Sequence, residues 1–172
     1  MEVTDAIRTR RTHKAFATEP VDRATLQALF ELARWAPNHH LTNPWRFRVL
    51  GPVTLARLID AADELEQGSG RKLQRAPTLI AASVALTGDP VSDREDLLAG
   101  AVAAYVVLLA AHDRGLAGYW RTPAVLRASS GRAALAIPAG EEFIGLLHLG
   151  HPRQAQPPPE REPVAAFVAY LE

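Results

Sequence analysis

Apolar residues recur every three to four positions at Leu26, Leu29, Phe30 and Ala33, and again at Leu55, Leu58, Ile59 and Ala62. That spacing places each set on one face of a helix. Asp22 is positioned to cap the first helix, and Pro37 stops it. Trp45-Arg46-Phe47-Arg48-Val49-Leu50 alternates as a strand does, and Gly51-Pro52 closes it. After the second helix, Gln67-Gly68-Ser69-Gly70 is expected to be mobile. Pro77 opens a run over 78–86 whose apolar, partly β-branched character suits a strand covered on both faces. Ser92-Asp93-Arg94-Glu95 spells a capping box for a helix that should run to about Arg114 and end at Gly115.

From Leu97 to Ala111 that helix is apolar all round. The run is shorter than the ~20 residues needed to cross a bilayer, so it is expected to be a core helix rather than a membrane span. A helix with no polar face must be surrounded, and in a chain this small a second copy is expected to supply part of the cover. This predicts a homodimer with the helix near its interface. Further along, a short strand is expected at Ala117 to Arg121, one or two short helices within 123–136, and a buried strand at Phe143 to Leu149. The order is α/β with a mixed sheet. The last stretch, 152–172, is proline-rich around Pro157-Pro158-Pro159 and Pro163, then apolar at Val164, Phe167, Val168 and Tyr170. Such a tail is extended and adhesive, and it is expected to dock on the partner subunit.

A length of 172 residues fits a single domain over 1–172 or one subunit completed by a partner. Nineteen basic and nineteen acidic side chains cancel, so no overall field draws the chain to nucleic acid or to a membrane surface. The absence of cysteine removes disulfides, thiolate metal sites and cysteine nucleophiles together. The opening Met1-Glu2-Val3-Thr4-Asp5 is polar and acidic where a secretory signal is basic and then apolar, which points to the cytoplasm.

Several chemistries fall away. No Gly-x-Gly-x-x-Gly follows a strand and no phosphate-binding Gly-Lys-Ser turn is present. Ser129-Ser130-Gly131 lacks the glycines of a nucleophile elbow and is read as a helix entry. None of the six histidines (His13, His39, His40, His112, His148, His151) forms a ligand pair with an acid on one helix face, so no metal is expected. His148 is read as a satisfied core or edge histidine. Glu141-Glu142 is read as part of a turn.

Three segments that combine donors with flat rings remain. Arg8-Thr9-Arg10-Arg11-Thr12-His13-Lys14 gathers four cations and two hydroxyls, which suits a phosphate but equally suits a solvated basic turn. The others are the loop Ala36-Pro37-Asn38-His39-His40-Leu41-Thr42-Asn43-Pro44-Trp45-Arg46-Phe47 and the stretch Gly118-Tyr119-Trp120-Arg121-Thr122. Together, and in this order, they resemble the nitroreductase family of FMN-dependent oxidoreductases. The opening is similar to that family's Arg-Arg-Ser-x-Arg start, and the loop to its Ala-Pro-Ser-x-x-Asn-x-Gln-Pro-Trp-x-Phe signature. The third stretch, continued to Ile144-Gly145-Leu146-Leu147-His148-Leu149-Gly150, looks most like its short bacterial, YdjA-like branch.

The resemblance implies an α+β sandwich of the nitroreductase-like kind: a central mixed, mainly antiparallel sheet flanked by helices, in an intertwined homodimer. It implies that Arg10, Arg11, Thr12 and Lys14 hold the FMN phosphate and ribityl chain. Pro37, Asn38 and His39 match a loop that reaches the flavin from the opposite subunit, and Trp120, Arg121 and Thr122 match a segment lying along the flavin ring. The implied reaction is hydride transfer from the co-substrate NAD(P)H through flavin N5 to a small-molecule acceptor, a nitroaromatic or quinone, in ping-pong turnover with no obligatory catalytic side chain. Leu41 and Asn43 depart from the family pattern, and a carboxylate common near Trp120 is missing. Those departures leave a non-catalytic flavin-binding storage or sensor protein as the alternative.

Overall fold

The computed structural model describes residues 1–171. Among these residues five α-helices and four strands follow in the order α1 (Val3–Thr9), α2 (Arg23–Ala33), β1 (Trp45–Val49), α3 (Pro52–Leu65), β2 (Thr78–Ala85), α4 (Pro90–Asp113), β3 (Ala117–Arg121), α5 (Ser129–Ala134) and β4 (Glu141–Gly150). Local chemistry explains most of the ends. The Asp22 carboxylate accepts from the Thr25 backbone N–H at 2.9 Å, capping α2, and Gly115 takes a φ of 72° just past α4. The start of α4 differs from the expected capping box. Asp89 accepts from Ser92 N–H at 2.8 Å and Pro90 occupies the first turn. A proline has no N–H to leave unpaired at that point and its φ is already helical, so the Asp-Pro pair starts the helix three residues earlier than a Ser92 cap would. Asp93 turns back to the Thr87 N–H.

The strands form one sheet in the order β1-β2-β4-β3, every neighbouring pair antiparallel. The parallel contact is an isolated bridge between Thr12 and Gly118, made by the opening segment. Helices cover both faces. On one side α3, α5 and the turns at Gly70–Arg75 and Ala124–Arg127 pack Leu58, Leu73 and Leu126 against Leu79 and Leu146. On the other, α2 and α4 pack Leu29 and Val107 against Ile80, Leu147 and Leu149. All of β2 but Ala85 is buried, as a strand with helices on both faces requires. Within β4, Gly145 is obligatory. A Cβ there would lie 2.0 Å from the Trp120 indole nitrogen, which donates to the Ile144 carbonyl at 2.9 Å.

Three expectations need correcting. The stretch 67–70 is tied down, with the Ser69 hydroxyl donating to the Ala62 carbonyl and Gly70 N–H donating to Asp63. Glu141 opens β4 rather than a turn, and takes both Arg48 nitrogens at 2.8 and 3.0 Å and the Ser83 hydroxyl at 2.6 Å. Arg48, and then the Ser83 hydroxyl, hold its carboxyl below the usual range against the opposing effect of burial. His148 is buried, but it is not satisfied: neither ring nitrogen has a hydrogen-bond partner. Burial, reinforced by Arg121 and Arg75, pushes its pKa down to about 4.

With 24 residues α4 is longer than its apolar run, and by length and composition alone it would suffice to cross a membrane. It packs instead on α2, β2 and β4 and is half covered. Leu98 and Val102 stay exposed, with Tyr105, Val106 and Leu109 half-buried beside them. These positions make one stripe along the helix. The tail is similar in character: after the short turn at Val164–Ala166, Phe167, Tyr170 and Leu171 are exposed.

Candidate functional site

The chain leaves α1 at Arg10 and runs beside the start of β3. Thr12 bridges Gly118, His13 N–H donates to the Gly118 carbonyl at 3.2 Å, and Ala17 N–H donates to the His151 carbonyl at 2.9 Å. The opening segment and the 118–122 stretch are therefore brought together, with the root of the tail beside them. The Arg10 guanidinium lies 5.8 Å over the Tyr105 ring of α4. Among the described residues, the side chains of Arg10, Thr12 and Lys14 make no hydrogen bond or ion pair. Arg11 behaves differently. Its Nη1 donates to the Arg8 and Arg10 carbonyls at 2.6 and 2.9 Å, so it caps the C-terminus of α1, and its buried Nε has no partner.

A cavity of about 300 Å³ opens here, lined by Arg10, Arg11, Thr12, Gln156, Pro159 and Arg161 among others, with no carboxylate in its wall among the described residues. Arginines at three positions of this wall suit a phosphate ester, with Arg10 carrying no polar partner among the described residues and Arg11 already turned to its own helix. From the sequence, Arg153 and Arg161 are both open candidates for a phosphate contact, and the structure brings Arg161 to this wall. The signal for it was present in the flanking prolines at 157–159 and 163, which keep the tail extended enough to fold back over the seat.

Of the 118–122 stretch, the backbone rather than the side chains faces open ground. Strand β3 has β4 on one side only. The Trp120 indole is held on the α2/α4 side of the sheet by the bond to Ile144. Arg121 turns to the other side, 5.7 Å over the Tyr119 ring, and donates to the Lys72 carbonyl at 3.1 Å, where it lines a separate cavity of about 160 Å³. Thr122 is exposed.

The loop through Pro37, Asn38 and His39 lies elsewhere, against the first turns of α4. His39 Nδ1 is 2.7 Å from Glu95, the Thr42 hydroxyl donates to buried Asp96, and the Asn38 side-chain oxygen accepts from Asn43 N–H at 2.9 Å. His40, Leu41 and Asn43 all take left-handed φ values, 53°, 54° and 46°. For residues other than glycine this conformation costs about 1–2 kcal/mol each, so the bonds to α4 hold the loop in a shape it would not choose alone. Nothing in the sequence marks Asp96 and Glu95 as anchors: they fall in the polar opening of the helix, just before its apolar run at Leu97, where carboxylates are ordinary. From Asp96 to Tyr105 is nine residues, ~14 Å along the helix at 1.5 Å per residue. One chain therefore does not bring this loop to the cationic seat.

Comparison with known proteins agrees with this architecture. The model of the Nitroreductase family matches residues 7–151. The Bacillus subtilis (strain 168) protein named "Putative NAD(P)H nitroreductase YfhC" is 27% identical, over 93% of this chain and 89% of its own. A nitroreductase-like family protein from Bacillus cereus superposes with a TM-score of 0.91 at 22% identity, covering 100% of this chain and 97% of that one. The FMN and NADPH-dependent nitroreductase NfnB from Sphigopyxis sp. strain HMH gives a TM-score of 0.83 at 18% identity, with both chains covered in full. With the family model spanning most of its length, the chain belongs to the nitroreductase family of FMN-dependent oxidoreductases.

Proposed function

We propose that this chain is an NAD(P)H oxidoreductase that passes hydride through FMN to a nitroaromatic, quinone or similar small acceptor, in ping-pong turnover, as a cytoplasmic homodimer with shared sites. The observation that carries this reading is the cationic cavity at Arg10, Arg11, Thr12 and Arg161, free of carboxylates and placed at the open edge of β3. When bound, FMN supplies the two-way hydride relay between co-substrate and acceptor. Arg10 and Arg161 offer charge-assisted bonds to its phosphate, Thr12 a hydroxyl and Lys14 a further cation for the phosphate and ribityl chain. Arg11 contributes chiefly by fixing the turn that presents Arg10. The backbone of Trp120, Arg121 and Thr122, at the edge of β3, would meet the flavin ring without need of their side chains.

Pro37, Asn38 and His39 complete the site from the partner subunit. Three features favour this. The apolar stripe of α4 at Leu98 and Val102 lacks cover in one chain, the exposed end of the tail at Phe167 and Tyr170 needs a surface, and the loop lies ~14 Å along α4 from its own seat. Two copies of α4 packed antiparallel set the N-terminal end of one beside the C-terminal end of the other, and so one protomer's loop beside the other's seat. Residues 1–172 then act as one domain, with 152–172 docked on the partner.

The departures at Leu41 and the engaged Trp120 and Arg121 side chains favour, as a second reading, a flavin-binding protein without turnover. Two measurements separate the readings. Purified protein should be yellow and release FMN identifiable by mass, and it should oxidise NAD(P)H with menadione or a nitrobenzene. Bound flavin with no turnover on any such acceptor favours storage or sensing, and a protein that stays colourless after incubation with FMN defeats both.

A further inference from the structure

Beyond Arg11 and Gln156, on the side away from the cofactor's phosphate seat, lies a second and larger cavity of about 520 Å³, open to solvent. Its polar wall includes Thr9, Arg11, His13, His112 and Arg153, with Gln154 and Met1 beside them, and among the described residues no carboxylate lines it. The nearest acid in sequence, Asp113, is engaged by the Met1 amine at 2.7 Å. The proton positions follow from the bonds. The Thr9 hydroxyl donates to the Asp5 carbonyl, so its oxygen accepts from His112 Nε2–H at 2.8 Å. His13 Nδ1 is buried without a partner, and an unpaired N–H is costly there, so its proton belongs on Nε2.

Both rings resist becoming charged. Burial lowers the pKa of each. Next in effect come His112 and then Arg10 for His13, and Arg10 and then Arg11 for His112, whose own neighbour Asp113 opposes the shift. Two arginines and two imidazoles line one open volume with no carboxylate in its wall among the described residues, and Asp113 close by is taken up by the Met1 amine.

We propose that this cavity is an anion subsite of the phosphate class, distinct from the seat for the cofactor's phosphate. Arg153, exposed at the rim on the root of the tail, supplies the fixed charge. His13 Nε2–H supplies a directed donor, and an incoming anion favours protonation of both imidazoles, adding charge where it is needed. His13 stands at the variable position of the Arg-Arg-Thr-His-Lys opening, where its ring plays no part in the flavin reading. The subsite depends only on this chain's cations.

Inorganic phosphate, titrated into the protein as purified with its flavin content read by absorbance, tests the assignment through the ring C–H signals of His13 and His112 in NMR. Saturable shifts of both signals, with raised apparent pKa values and an unchanged flavin spectrum, are expected. Arg153→Ala should weaken phosphate binding about tenfold or more, and His13→Gln should retain more of it than His13→Ala. A second arm with 5′-AMP identifies the source: tighter binding than inorganic phosphate assigns the site to a nucleotide phosphate, and equal or weaker binding assigns it to the free anion. The proposal is overturned by absent or non-saturating shifts, by shifts that survive intact in Arg153→Ala, by a His112 shift that survives intact in His13→Ala, or by shifts seen only in flavin-free protein. In that last case phosphate has merely entered the cofactor's seat. Absence of bound flavin, by contrast, defeats the flavin reading and leaves this test standing.

Discussion

The two polar regions beside α4 use similar side chains in opposite ways. At its N-terminal end, the loop through Asn38, His39 and Thr42 is bonded to itself and to Glu95 and Asp96, and three residues are held in left-handed conformations. Towards its C-terminal end, Arg10, Thr12 and Lys14 are placed by backbone bridges while their side chains stay unpaired. A region whose polar groups are mutually satisfied is a preformed surface. A region whose cations have no partner is a receptor for something else. The distance between the two along one helix is what makes a second copy of the chain necessary to the proposed site.

The sharpest way to break this comparison is to separate the two regions onto different chains. Arg10→Ala and His39→Ala proteins, each impaired alone, should regain activity on mixing and subunit exchange. About a quarter of the sites are then intact, because half the dimers are mixed and one of their two sites carries neither change. No recovery despite demonstrated exchange would place both residues in the same protomer's site.

Acid should act on the sheet beside the seat. The folded chain keeps His148 neutral down to about pH 4, whereas an exposed imidazole takes its proton near 6.5. Only the unfolded chain gains a proton between those values, so stability is full above about pH 6.5 and declines by up to roughly 3 kcal/mol towards pH 4. Urea unfolding across that range should show the decline, and His148→Phe should flatten it. An equally steep acid limb in the variant would assign the effect to other groups.

Arg10→Ala should weaken FMN binding by about 10- to 150-fold, corresponding to a charge-assisted bond of roughly 1.5–3 kcal/mol. Quenching of flavin fluorescence measures this, and the thermal midpoint should barely move, since the guanidinium has no polar partner among the described residues. At the loop the opposite is expected. Thr42→Val strips buried Asp96 of its hydroxyl partner, and should cost about 1–3 kcal/mol of stability by denaturant titration. Smallest is the effect of His39→Ala on stability. The His39–Glu95 pair is exposed on both sides, so a loss of no more than about 1 kcal/mol is expected, even where activity falls. A large loss would mean that the loop's shape depends on that pair more than on Thr42.

Much of this was legible along the chain because it is local. The limits of β3 at Ala117 and Arg121, the Asp22 cap and the stop at Gly115 depend on residues a few positions apart. Where the reading failed, two local signals competed or a distant partner intervened. Asp89-Pro90 outcompeted Ser92 and Glu95, and Glu95 instead met His39, 56 positions away in sequence. Of two adjacent arginines, Arg11 turned back to its own helix and Arg10 did not, a choice made by which side of the turn faces Tyr105.

Periodicity and caps, then, were enough for the order of helices and strands, for a helix too apolar to stand alone, and for a basic segment suited to phosphate. They left undetermined that Thr12 would lie against Gly118, that the tail would return Arg161 to the seat, and that the loop would sit away from it, near the other end of α4. The reason is physical. Backbone conformation answers to neighbours within one turn, whereas a binding site is assembled from contacts whose closure depends on how whole layers pack, and no spacing along the chain records that.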